Sequence, residues 1–251
     1  MSTVEKKRIN RFEESIEVDD TKVAIYHHLG MGDCIECNGM VRAYAKLYNE
    51  VYVFCKENYY DIIKWMYRDN PKIKLIKVNK NDEGPEIIEF LKYFTGRIII
   101  PGHDFYEQRE KEFDERGMGY GEAFYELAGL DWQTRNAFFH VQRDPKEEER
   151  VYNKLNPDDE DYIFVHDDPS RGYTINVNTK YKIIKNDITE NPFYLLKILE
   201  KAKEIHCMSS SFLCLIDCIH LSVYFPKLYM HYNIRKVKLT KNSLVANWEI
   251  I

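Results

Sequence analysis

The sequence predicts an α/β protein built from two doubly wound parallel sheets of unequal size, with a cleft between them. Three observations carry this. From residue 22 onward, apolar strand-like runs alternate with helical patterns, and that β-α-β-α rhythm argues for parallel sheets with helices on their faces. The rhythm breaks at QRDPKEEERVYNKLNPDDED (142–161), a charged helix whose Asn-Pro-Asp-Asp close has the composition of a domain boundary. Past the break it resumes. The 251 residues suffice for two small domains of roughly 120 residues each.

In chain order, residues 1–20 read as a polar arm. The amino-terminal domain, 21–143, takes strands at 22–28, 51–55, 73–78 and 97–101, with helices at 34–48, 57–68 and 85–94. EQREKEFDER (107–116) mixes both charge signs. It is either a solvated helix or loop, or a cover over a pocket beside Gly102, His103 and Asp104. GEAFYELAGL (121–130) is a helix stopping near Gly129, a usual C-terminal residue. The carboxy-terminal domain, 144–251, holds strands at 162–166, 181–184, 205–208 and 227–232, and helices at 191–204 and 209–222.

Composition narrows the classes. A net charge of −5 gives no general pull toward nucleic acid or anionic membranes. No apolar run approaches the ~20 residues of a membrane span. The charged start MSTVEKKRINRFEESIEVDD lacks an apolar signal segment, so a cytoplasmic protein is expected. The six cysteines fall in strands and apolar helices, where thiols usually pack as small hydrophobes.

Ligands of open α/β sheets bind beyond the carboxyl ends of strands, so the strand ends carry the candidates. YHHLGMGDCIEC (26–37) follows the first strand. Gly30 and Gly32 permit a tight turn and close backbone approach. Asp33 falls at or beside the next N-cap, where it either caps the helix or presents a carboxylate. The pattern is not G-x-G-x-x-G, since Ile35 holds the third glycine position, and it is not a Walker loop. Cys34 and Cys37 form a C-x-x-C, read either as a redox pair or as packing thiols. In IHCMSSSFLCLIDCIHL (205–221), Ser209, Ser210 and Ser211 open a helix. They supply either an ordinary cap or an anion site at the positive end of the helix dipole. In FVHDDPSRGYTI (164–175), His166 ends a strand and Arg171 either reaches a diphosphate or is solvated. His103 and Asp104 close a further strand end.

Four of these stretches together resemble the lipopolysaccharide heptosyltransferase-like family (glycosyltransferase family 9-like). Leu29 to Asp33, Leu-Gly-x-Gly-Asp between strand and helix, resembles its amino-terminal motif. FYELAGLD (124–131) resembles its interdomain segment, YIFVHDDPSR the opening of its donor domain, and the strand–serine–helix ending in CIHL its donor-phosphate helix. The usual Asp-Thr-Gly at that helix start is absent here. The resemblance implies a GT-B fold of two Rossmann-like domains and an inverting, metal-independent transfer of a hexosyl or heptosyl group. The donor is a nucleotide-diphosphate sugar, a co-substrate rather than a cofactor, and the acceptor is a glycan or other hydroxyl. Asp33 carries over as the catalytic base and Ser209, Ser210 and Ser211 as the phosphate site. Arg171 and His166 stand on the donor side, and Gly30, Gly32, His103 and Asp104 on the acceptor side or its turn. Rival expectations on the same scaffold are a pyruvyl transferase-like or epimerase-like enzyme, a non-catalytic nucleotide-sugar binding module, and a thiol oxidoreductase.

Overall fold

The computed structural model describes residues 19–81, 83–102, 104–220, 226–237, 239–240 and 243–251. Strand β1 (Asp19–Ile25) leads into helices α1 (Met31–Glu36) and α2 (Asn38–Leu47), then β2 (Glu50–Lys56), α3 (Tyr60–Met66), β3 (Ile73–Val78), α4 (Glu83–Tyr93) and β4 (Gly96–Ile99). Four short helices follow, α5 (Asp104–Glu107), α6 (Glu110–Glu115), α7 (Tyr120–Leu127) and α8 (Thr134–Phe138), and then the charged α9 (Pro145–Leu155). The rest holds β5 (Tyr162–His166), β6 (Lys182–Lys185), α10 (Leu196–Lys201), β7 (Glu204–Cys207), α11 (Ser211–Ile219), β8 (Lys227–Met230) and β9 (Trp248–Ile250).

These strands form two sheets, β3-β2-β1-β4 and β6-β5-β7-β8-β9, and every pairing within them is parallel. The sequence dictates this. Val23, Ala24 and Ile25, and Tyr162 through Val165, are fully or almost fully buried, as strands covered on both faces must be. The strand orders matter more for function. In each sheet the chain winds outward from its first strand and then crosses to that strand's other side. Order therefore reverses between β1 and β4 and again between β5 and β7. At such reversals the loops diverge and leave a crevice beyond the strand ends.

Packing crosses from one sheet to the other. Helices α1 and α11 lie against each other, with Gly32 beside Cys214 and Ser211. Trp65 stacks on Phe193 at 5.2 Å, and buried apolar residues of both sheets belong to a continuous cluster.

Several expected elements are redrawn. The helix expected over 34–48 is two helices, broken at Cys37. The hydroxyl of Tyr125 accepts from Met40 N–H (3.0 Å) and donates to the Glu36 carbonyl (2.9 Å). It thus occupies the place of the direct i to i−4 bond, a recognised cause of a helix break. The stretches 57–68 and 191–204 each open on a 3₁₀ turn, at Glu57–Tyr59 and Pro192–Leu195, before α3 and α10. The charged 107–116 stretch spans the end of α5 and all of α6. β1 begins at Asp19, inside the expected arm, whose residues 1–18 lie outside the described residues. The last strand stops at Met230, and β9, only three residues long, was not expected.

Candidate active site

The ends of β1, β5 and β7 border a cavity of about 800 Å³. Residues 30–33 line it from the end of β1, 166–171 from the end of β5, 209–212 from the end of β7, and Arg235 from beyond β8. A second cavity of about 440 Å³ adjoins it, and the two share Gly32, Asp33, Ser209, Cys214 and Arg235. The carboxylate of Asp33 therefore stands where two spaces meet.

Asp33 lies in the first turn of α1, with Gly30 as the N-cap. Its carboxylate folds back over the turn. A Cβ on Gly30 would stand 2.6 Å from Asp33 Oδ2, so a side chain there would push the carboxylate out of its place. The Gly30 N–H donates to the carboxylate, which favours its charged form. Burial and then the nearby charge of Glu36 outweigh that bond and raise its pKa to about 6, near the range suited to a general base.

Ser210 is the N-cap of α11, its hydroxyl accepting from Leu213 N–H at 3.4 Å. One serine does the capping; Ser209 and Ser211 also line the first cavity. Arg235 Nη1 donates to the Ser209 carbonyl at 3.0 Å, which fixes a guanidinium beside the start of α11. Sequence reasoning missed Arg235, because it lies beyond β8 in a stretch with neither periodicity nor motif.

The other expected donor residues are more engaged. Arg171 lines the cavity but pairs with Asp168. His166 Nδ1 bonds to Asn186 Oδ1 at 2.8 Å and its ring lies 4.4 Å from that of Phe212. Burial lowers its pKa, so the imidazole is neutral near pH 7. Asp167 is buried and accepts from Lys185 Nζ (2.7 Å) and Ile175 N–H (3.0 Å). Among the described residues no group of three or more His, Cys, Asp or Glu converges to hold a metal ion. Asp104 opens α5 after β4, while His103 lies outside the described residues.

The cysteines are free, and Cys34 and Cys37 are buried. A hydrogen bond with Cys55 and burial push the Cys34 thiol well up, and burial does the same to Cys37. Reactive cysteines need the opposite shift, so this pair packs and the oxidoreductase reading loses its basis.

Behind the site lies an ionic group that sequence reasoning did not find. Arg135, almost fully buried, meets Glu36 at 2.7 Å and Asp217 at 2.8 Å. It joins α1 to α11 through α8.

At the level of sequence, neither a family model nor a curated protein matches the chain. Structure is more informative. A glycosyl transferase family 9 protein from Veillonella parvula DSM 2008 is similar over 85% of this chain and 81% of its own, at 10% identity and a TM-score of 0.53. The chain has the fold of a family 9 glycosyltransferase. The same fold appears in the ADP-heptose lipopolysaccharide heptosyltransferase II of E. coli, covering 92% of this chain and 90% of that one at 10% identity and a TM-score of 0.50. The iron-containing dodecameric glycosyltransferase TibC of enterotoxigenic E. coli H10407 matches at 12% identity and a TM-score of 0.50, over 80% of this chain and 57% of its own. The family 9 fold is thus present in a chain whose identity to each of these three proteins is 12% or less.

Proposed function

We propose that the protein is an inverting glycosyltransferase of GT-B type, with an acceptor-side domain at 21–143, a donor-binding domain at 144–251 and the larger cavity as the cleft between them. One observation carries the reading: Asp33 stands at the junction of two cavities, one of which ends at the serine-capped start of α11 beside Arg235. The family 9 fold supports it.

In this reading a nucleotide-diphosphate sugar occupies the larger cavity. Its phosphates lie against the backbone N–H groups at Ser209, Ser210 and Ser211 and take the Arg235 guanidinium, with Arg171 and His166 along the same wall. The acceptor hydroxyl sits in the smaller cavity. Asp33 takes the hydroxyl proton as the oxygen attacks the anomeric carbon, forming the new C–O bond. The bond from that carbon to the phosphate oxygen breaks on the opposite face, and the nucleoside diphosphate leaves with its electron pair. N–H donors and a fixed cation stabilise that departing charge, so the proposal needs no metal. The sugar moved is a hexosyl or heptosyl unit, and the setting is cytoplasmic glycan synthesis.

Nucleoside diphosphates should raise the melting temperature of the protein. Arg235→Ala, and separately Ser209→Ala with Ser211→Ala, should reduce that rise without lowering the melting temperature of the unliganded protein much. No nucleoside diphosphate raising it, or an unchanged rise in both variants, would remove the donor site.

A further inference from the structure

The smaller cavity has a chemistry of its own. Its wall on the α7 side is aromatic: Tyr120 and Trp132 are partly exposed, with Tyr106 and Phe124 buried behind them. The Tyr120 ring lies 4.1 Å from that of Tyr106 and 5.0 Å from that of Phe124, so the platform is held from behind. Gly121 brings the wall close: a Cβ there would stand 2.6 Å from Glu36 Oε1 and 3.1 Å from Trp132.

The charges lining this space are unequal. Asp33, Glu36 and Glu122 are acidic, whereas Arg235 is the cation among the described lining residues. Arg235 is also shared with the larger cavity and anchored to Ser209, at the anion end. Burial, and then the neighbouring Tyr106 and the charges of Asp33, Glu107 and Glu110, push the Tyr120 hydroxyl up to about 12. That hydroxyl therefore stays protonated at physiological pH and can both donate and accept.

We infer that the smaller cavity is an acceptor subsite for the uncharged end of a saccharide, one that lays the C–H face of a sugar ring on Tyr120 and Trp132 and excludes acidic sugars. The identification of this space as the acceptor's rests on the transferase reading; the ligand class rests on the lining. A pyranose ring offers an apolar face and a rim of hydroxyls. Aromatic rings with a polar handle match both features at once. Carboxylates accept hydrogen bonds and cannot donate them, so they pair with sugar hydroxyls and repel another carboxylate or a phosphate. At about 440 Å³ the space sits toward the small end of ligand pockets, roughly 300–1,000 Å³, a size for a chain terminus.

The test is saturation-transfer NMR on the whole protein, with and without a saturating nucleoside diphosphate. The probes are methyl glucoside and maltose on one side and methyl glucuronoside on the other. The neutral sugars should receive saturation on their ring C–H protons, and the glucuronoside should bind about tenfold more weakly or not at all. Tyr120→Ala should abolish the neutral-sugar signal. Because Tyr120 is 43% exposed, this variant should keep its fold, and an unchanged nucleoside diphosphate melting shift would show that it does. Trp132→Phe, which keeps a ring, should retain most of the signal. Equal or tighter binding of the glucuronoside, or neutral-sugar binding indifferent to Tyr120, would overturn the inference. Failure of the transferase reading would look different: no nucleoside diphosphate would shift the melting temperature, whatever the sugars did.

Discussion

Asp33 sits in the first turn of α1, three residues past the N-cap, which is Gly30. Its carboxylate closes the turn over Gly30, and it lines both cavities. Since the raised pKa of about 6 comes from burial and then from Glu36, the pH dependence has a definite sign. A base works deprotonated, so the rate of sugar transfer should fall on the acid side with a midpoint near pH 6, not near the ordinary aspartate value. Glu36→Gln removes a charge that raises the Asp33 pKa, so the midpoint should move to lower pH; movement upward would be contrary. Asp33→Asn should keep the nucleoside diphosphate melting shift while lowering kcat by ~10²–10⁴-fold. That Asp33 and the serines would line one cavity could be expected because both stretches lie where a strand hands over to a helix, β1 to α1 and β7 to α11. Arg235 could not be expected there, since only the fold carries a residue beyond β8 back to the start of α11.

At the scale of elements, the periodicity of 34–48 reads as one helix, and the break at Cys37 is invisible locally. Its cause, Tyr125, is 85 residues from Met40. Tyr125→Phe removes the hydroxyl but not the ring, leaving the Met40 N–H and the Glu36 carbonyl to find each other or go unpaired. A loss of about 1–3 kcal/mol in urea unfolding is expected. Stability unchanged within error would mean that the direct bond re-forms freely. The same reasoning explains the missed β9. Three residues are too few for an alternating pattern, and the strand exists because β8 offers a parallel edge to it.

For the molecule as a whole, the sequence announces two α/β halves and a boundary helix, and it is silent on how the halves meet. They meet through side chains no local pattern reveals: Trp65 on Phe193, and Arg135 between Glu36 and Asp217. Because the apolar cluster runs across both sheets and the buried ionic centre ties α1 to α11, the two sheets should unfold together. Calorimetry should therefore give one transition, with calorimetric and van't Hoff enthalpies equal; two resolved transitions would contradict this. Arg135→Ala strands two carboxylates against that core and should cost about 3–5 kcal/mol.

Asp217 also accepts from the backbone N–H groups of Val245 and Ala246 and from the indole of Trp248, at 2.9–3.1 Å, and the helix bearing it begins at the serines. Tyr232 N–H and the Met230 carbonyl, in turn, hold Ile251. The stretch from 245 to 251 is thus a clasp on α11 and the end of β8, not a loose handle. Trimming it, or inserting an affinity tag within it, would leave the sunken Asp217 carboxylate with Arg135 but without its donors from 245, 246 and 248, and would loosen the helix that begins at the serines.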